Sequence, residues 1–436
     1  MTPISAHPVV SSHSLWLGRW VSRGAWSLVD QALFSLANLL ILLLLARWLS
    51  PADFGRFTIA FTVFLLLATV HTAAVVEPLL IYGPRRFSAR LPAYLGAVLV
   101  LQTPVAVAIS GLMAAAAGVC LLVGAHPIAT PLLAMAAAGP LILLLWLARR
   151  PWYVQQQPQR SAAGGAVYLA IVVAALAMLS ASGKLTTTTA ICTMALASVL
   201  ASGVLLVGLR LVWPPRVRAP ILRRAARAHW EYGRWAVGSA FLGLLPTQLC
   251  YLVLPEFHGI ESSAGLRAIS NLVLPLIQMN IAFAAVLLPA MSRHRGTPQA
   301  LRVTLAGLAA LVILPLVGWG ALVALGKPLL QLCYGPLYSN LAGVVWIVAA
   351  TPVVLGLSML INMMLQTRGR QDAVFYATLA SAIVAATAGV ALVWLDEVRG
   401  AAVGVNLSLF VAVVVGGAFL ISGRTGRTEP PMREPI

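Results

Sequence analysis

The chain has 436 residues, of which 60% are hydrophobic and only 9% charged, and its mean hydropathy is +0.93. Roughly a quarter of an ordinary soluble domain is charged, so a water-soluble globule is excluded. The 29 Lys and Arg outnumber the 11 Asp and Glu, for a net charge of +18. These basic residues lie between apolar runs and form no aromatic-interleaved domain, so they read as topology-setting charge and nucleic acid is excluded as a partner.

Runs of about 20 apolar residues each suffice to cross a hydrocarbon core of about 30 Å. Twelve are predicted, over 28–46, 57–82, 91–123, 127–148, 162–181, 188–212, 235–255, 264–291, 303–326, 341–366, 373–395 and 401–422. The expected fold class is therefore an all-α polytopic membrane protein. The first run is too long for a signal-peptide core and ends in Ala46-Arg47-Trp48 without a small-residue cleavage site, so it is expected to be a retained span. Twenty-three of the 29 basic residues fall in alternate connections and the termini, and six in the others. By the positive-inside rule this asymmetry places both termini in the cytoplasm.

Residues 213–234 are the most charged stretch. Arg223, Arg224 and Arg227 alternate there with Ile221, Leu222, Ala225 and Ala226, the pattern of a basic amphipathic helix attracted to anionic membrane lipids. This stretch divides the chain into a cytoplasmic segment 1–27, a six-helix lobe 28–212, the linker 213–234, a second six-helix lobe 235–422 and a tail 423–436. The halves are weakly similar: Trp26 precedes Gly55 by 29 residues, and Trp235 precedes Gly265 by 30. With an even number of spans per half, the predicted repeat is parallel, about an axis normal to the membrane, with a cavity between the lobes.

Chemistry-bearing motifs are few. Gly183-Lys184 is followed by Leu185 and Gly326-Lys327 by Pro328, so no P-loop is present, and neither HExxH nor GxSxG occurs. An enzyme is the weaker class, and no cofactor is expected. Cys120, Cys192, Cys250 and Cys333 are scattered, without CxxC pairs or histidines at ligand spacing, and read as free thiols with no metal.

Polar groups inside apolar runs point to a cavity. Asp30, His71 and Glu77 are candidates for binding a coupling ion. Asp30 alternatively lies at the water interface, and Glu77 alternatively pairs with Arg85 or Arg86. Gln31 and Asn38 are seven apart on one helical face, as are Asn271 and Gln278. The amides either line a hydrated path or make inter-helix hydrogen bonds.

The stretch from Val29-Asp30-Gln31 through Asn38 into Ala46-Arg47-Trp48-Leu49-Ser50-Pro51-Ala52-Asp53-Phe54-Gly55-Arg56-Phe57 resembles the opening of bacterial polysaccharide flippases. These belong to the multidrug/oligosaccharidyl-lipid/polysaccharide exporter superfamily. Glu77-Pro78-Leu79-Leu80-Ile81, Gly265-Leu266-Arg267-Ala268 with Asn271-Leu272, and Leu332-Cys333-Tyr334-Gly335-Pro336-Leu337-Tyr338 are similar as well. The resemblance implies a flippase in the bacterial plasma membrane that moves undecaprenyl-diphosphate-linked oligosaccharides by alternating access. A polysaccharide polymerase and other export proteins are the implied partners. For the anionic head the candidates are Arg47, Arg56 and Arg267, with interfacial snorkelling as the alternative. Gln31, Asn38, Asn271 and Gln278 are candidates for sugar hydroxyls. Two other readings remain: a cation-coupled small-molecule extruder of the same superfamily, and a membrane-embedded glycan ligase or assembly subunit.

Overall fold

The structure is a computed structural model that describes residues 12–209, 216–293 and 297–422. The expected terminal segments at 1–11 and 423–436 and the start of the linker at 213–215 lie outside the described residues. All regular elements among them are helical, as expected where lipid offers the backbone no hydrogen-bond partner.

The first half consists of α1 (Ser12–Trp48), α2 (51–85), α3 (Leu91–Leu122), α4 (His126–Val154), α5 (Pro158–Ala181) and α6 (Thr187–Val207). Within α2, Pro51–His71 passes through a π-turn at Thr72–Val76 into Glu77–Arg85. The second half begins with α7 (Ala219–His258). It continues with α8 (260–293), broken at Leu272 and Val273 just ahead of Pro275, then α9 (299–334) and α10 (Val345–Thr367).

Among the described residues eleven helices, these ten and one more, are long and apolar enough to cross a membrane. The last of them runs 51 residues, Gln371–Ile421. At 1.5 Å per residue it would be about 76 Å long, more than two hydrocarbon cores. It is not straight: Asp396 (φ −144°) and Glu397 (φ 45°) leave helical geometry and divide it into α11 (371–395) and α12 (398–421). The division falls between the eleventh and twelfth predicted runs and gives twelve candidate spans among the described residues.

In the first lobe α1 packs on α5, α4 on α3 and α6, and α5 on α6. In the second, α10 packs on α9 and α12, and α12 on α7 and α11. The lobes meet where α2 lies against α7 and α8. Two glycines permit that approach. A Cβ on Gly55 would stand 2.3 Å from the Ile260 carbonyl oxygen, and one on Gly233 would stand 3.0 Å from Ala74 Cα.

The linker differs from the expected surface helix. From Ala219 it is continuous with the seventh span. Its apolar stripe, with Ala225 and Ala228 fully buried, packs on Val75, Val76 and Leu79 of α2, Phe87 of the connection that follows, and Tyr94 and Leu95 of α3. The stripe is thus covered by protein, because small side chains let the helix backbone come close to α2.

Candidate functional site

Arg267 stands two turns into α8 and is 94% buried, with a relative exposure of 6%. Its guanidinium Nη2 donates to Thr62 Oγ1 of α2 at 2.8 Å and to Gln248 Oε1 of α7 at 3.5 Å. The guanidinium carbon lies 3.7 Å from the centre of the Tyr251 ring, a cation–π contact that offsets part of its lost hydration. Among the described residues no carboxylate is within ion-pair distance of Arg267, and its Nε has no partner. A cation so desolvated normally has an anionic neighbour.

Beside this guanidinium is a cavity of about 100 Å³ lined by Thr247, Gln248, Tyr251, Arg267, Asn271 and Thr351, among others. That is space for about three waters at ~30 Å³ each. Asn271 donates to Tyr334 Oη at 3.3 Å, which leaves its Oδ1 without a partner. The lining therefore offers a positive charge, amides and hydroxyls, a set that suits an anion and its hydroxyl-bearing neighbour. The cavity lining belongs to the second lobe, and the bond from Arg267 to Thr62 of α2 joins it to the first.

The other predicted site residues are distributed as follows. Asp30 is fully buried within the first lobe rather than at water. Arg149 Nη2 donates to its Oδ2 at 2.8 Å, Tyr153 donates to the same oxygen, and the Arg149 guanidinium rests 3.9 Å over Phe34. Gln31 and Asn38 are half-buried, on the flank of α1 adjacent to the face that carries Asp30. His71 is buried where the π-turn of α2 begins, with Nε2 3.3 Å from Gln102 Oε1 and Nδ1 unpartnered. Glu77 accepts from the Tyr232 hydroxyl of α7 at 2.7 Å; the Arg85 side chain lies outside the described residues.

Arg47 is exposed in the last turn of α1, with Nη1 3.5 Å from the Leu332 carbonyl. Arg56 pairs with Asp53 at 2.8 Å. Both are near the α1–α2 connection, apart from the cavity. Gln278 is half-buried on the second segment of α8, about two turns beyond Asn271. The structure thus unites Arg267 and Asn271 and leaves the remaining candidates around them.

Sequence inspection did not single out Tyr251 or Arg149. Tyr251 follows Gln248 by three positions, one helical turn along the same face, a signal that was available. Arg149 follows an apolar run and looks like a topology-setting charge, and its partner is 119 residues away.

Residues 44–340 match a family described as polysaccharide biosynthesis protein. Among solved structures, the fold is similar to the inward-facing conformation of a multidrug resistance MATE family transporter of the MOP superfamily. That match has a TM-score of 0.72 and 14% identity and covers 91% of this chain and 98% of that one. The lipid II flippase MurJ in an inward closed conformation gives a TM-score of 0.72 at 12% identity, covering 92% and 87%. A MOP superfamily transporter from Pyrococcus furiosus Vc1, described as having a binding pocket of reverse polarity, gives 0.64 at 14% identity, covering 93% and 95%. No curated protein matches the chain in sequence.

Proposed function

The chain belongs to the polysaccharide biosynthesis protein family, and on that premise we propose that it is a membrane transporter rather than an enzyme and flips lipid-linked oligosaccharides by alternating access. The substrate of this reading is an undecaprenyl-diphosphate-linked repeat unit, carried across a bacterial plasma membrane by a protein with both termini in the cytoplasm. A sugar-diphosphate head is too polar to cross hydrocarbon unaided, whereas its prenyl tail can stay in lipid. Two lobes joined along α2, α7 and α8 supply a path for the head that can open at one end and then the other.

The observation that carries the reading is the buried guanidinium of Arg267, held at the lobe junction without a carboxylate. In the proposed cycle a diphosphate oxygen takes the place of Thr62 on Arg267. Gln248 and Asn271 then meet the first sugar, and Gln31, Asn38 and Gln278 meet hydroxyls farther along. Arg47 and Arg56, near the α1–α2 connection, attract the anionic head as it leaves.

An extruder of organic cations needs the opposite polarity. Asp30 is engaged by Arg149, and Glu77 accepts from Tyr232, so neither carboxylate offers its charge freely to a cation. Coupling to an ion gradient through Asp30, His71 or Glu77 remains part of the proposal. Of the three, His71 has a free ring nitrogen next to a π-turn, a backbone form that recurs at functional sites.

The test is genetic. In the host lacking this gene, lipid-linked repeat units should accumulate on the cytoplasmic leaflet, and the wild-type gene should clear them. Arg267→Gln, present at wild-type level in the membrane, should fail to clear them. Normal surface polysaccharide in the deletion strain would reject the reading.

A further inference from the structure

A second basic site lies away from the Arg267 cavity, at the end of the molecule that carries the α2–α3 connection. There the 3₁₀ turn Ser88–Arg90 faces the first turns of α7 across a cleft of about 670 Å³. Arg86 and Arg90 line it from the first lobe, and Arg224 and Arg227 from α7, over a floor that includes Phe87 and Ile221. The single acidic lining residue, Glu231, is already held by Arg227 Nε at 2.9 Å. Arg86, Arg90 and Arg224 are exposed and make no ion pair among the described residues.

Four guanidinium groups from two lobes facing one cleft, with one carboxylate between them, leave an excess of three positive charges. Like charges so placed repel one another and favour any anion able to bridge them. Guanidinium presents paired N–H donors that match phosphate oxygens. The cleft also has a lipid-accessible position. Arg90 immediately precedes the apolar helix α3, and the apolar stripe of the α7 extension is seated on α2 and α3 directly alongside, so the arginines stand where headgroups meet hydrocarbon.

We propose that this cleft binds a phosphate-bearing anion, the phosphate of an anionic membrane lipid or a free diphosphate, and that its occupancy ties the α2–α3 connection to α7. A bound phosphate bridging Arg86 or Arg90 to Arg224 or Arg227 reinforces the same junction that His229, Tyr232 and Gly233 hold. The lobes thereby become sensitive to the lipid around them, whatever cargo the central cavity carries.

The experiment uses the full chain purified in a neutral detergent and in nanodiscs. Inorganic diphosphate is titrated against Arg267→Gln, which removes the guanidinium proposed for the cargo diphosphate, and against that background carrying Arg86→Gln/Arg224→Gln or a charge-matched control, Arg302→Gln/Arg368→Gln. In parallel, retention of phosphatidylglycerol against phosphatidylcholine is measured by native mass spectrometry. The expected result is saturable binding in the Arg267→Gln background that falls at least ten-fold on adding Arg86→Gln/Arg224→Gln but stays within two-fold on adding the charge-matched pair. Phosphatidylglycerol retained without diphosphate binding assigns a lipid ligand, and diphosphate binding without lipid retention assigns a soluble one; either supports the site. Absence of both, or equal weakening in the charge-matched control, overturns it. Because every protein in the titration lacks the Arg267 guanidinium, the cleft is read whether or not the transport proposal holds, and the two failures are distinguishable.

Discussion

His229 Nδ1 donates to the Ala74 carbonyl oxygen at 2.9 Å, the carbonyl that proline at position 78 cannot serve. Pro78 has no N–H to close the i→i−4 bond on residue 74, and a buried carbonyl without a donor is costly. An imidazole from the other lobe supplies the donor. With the proton on Nδ1, the ring's Nε2 accepts from the Tyr94 hydroxyl at 2.8 Å. A helix defect in α2 is thereby converted into a contact that positions α7.

Replacing His229 with Phe keeps most of the ring's bulk and removes both hydrogen bonds. The Ala74 carbonyl then loses the imidazole donor, at about 1–3 kcal/mol, while the Tyr94 hydroxyl keeps only its longer bond to the Pro78 carbonyl, at 3.4 Å. The variant should unfold several degrees below wild type in detergent. An unchanged melting temperature would show that water replaces the imidazole at no cost.

The same contact predicts a pH dependence. His229 precedes the apolar stretch of α7, and burial pushes its pKa down from 6.5 to about 4, opposed by the hydrogen bond with the Ala74 carbonyl. The folded value is lower than the unfolded one, so the unfolded chain binds the proton more readily. Stability from the neutral ring is complete above about pH 6.5 and is lost as pH falls toward 4. Melting temperatures of wild type and His229→Phe should therefore converge on acidification from pH 7 to pH 4. Parallel curves over that window would rule out His229 as the titrating group.

Asp30 and Arg149 form a buried pair, with side chains 0% and 3% exposed. Removing one partner strands a charge, which costs about 3–5 kcal/mol, whereas replacing both with apolar groups of similar size is often neutral. Asp30→Asn should lower the melting temperature strongly, and Asp30→Leu/Arg149→Met should recover most of the loss. If the double variant also transports with an unchanged pH profile, Asp30 serves only as the counter-ion of Arg149. A flattened profile with stability recovered would instead assign it a coupling role.

The twelve runs were legible because hydrocarbon thickness dictates their length, and the charges of Asp396, Glu397 and Arg399 separate the eleventh run from the twelfth in the sequence itself. The amphipathic pattern of the linker was legible as well, but not what covers it. Periodicity reports that Ile221, Leu222 and Ala225 share a stripe and is silent on whether lipid or protein meets it. Pairings across long separations are hidden for the same reason. Asp30 lies at the start of the first run and Arg149 just after the fourth, and each alone suggests an interfacial charge. Arg267 was a candidate through the resemblance to polysaccharide flippases, whereas its isolation from carboxylates exists only in three dimensions.

Gly55 offers the sharpest probe of lobe movement. It sits in the first turns of α2, and a Cβ there would lie 2.3 Å from the Ile260 carbonyl oxygen at the start of α8. The obstacle is backbone, so no side chain can swing aside, and Gly55→Ala must push α2 away from α8. The first connection is close by, where Arg47 reaches the Leu332 carbonyl beside Cys333, so separation there should uncover that thiol. In a background lacking Cys120, Cys192 and Cys250, maleimide labelling of Cys333 should accelerate several-fold in Gly55→Ala. Gly111→Ala is the control. It meets open space, should gain up to about 1 kcal/mol of helix stability, and should leave the labelling rate unchanged. Equal rates in all three proteins would mean that the α2–α8 contact does not govern access to this end of the molecule.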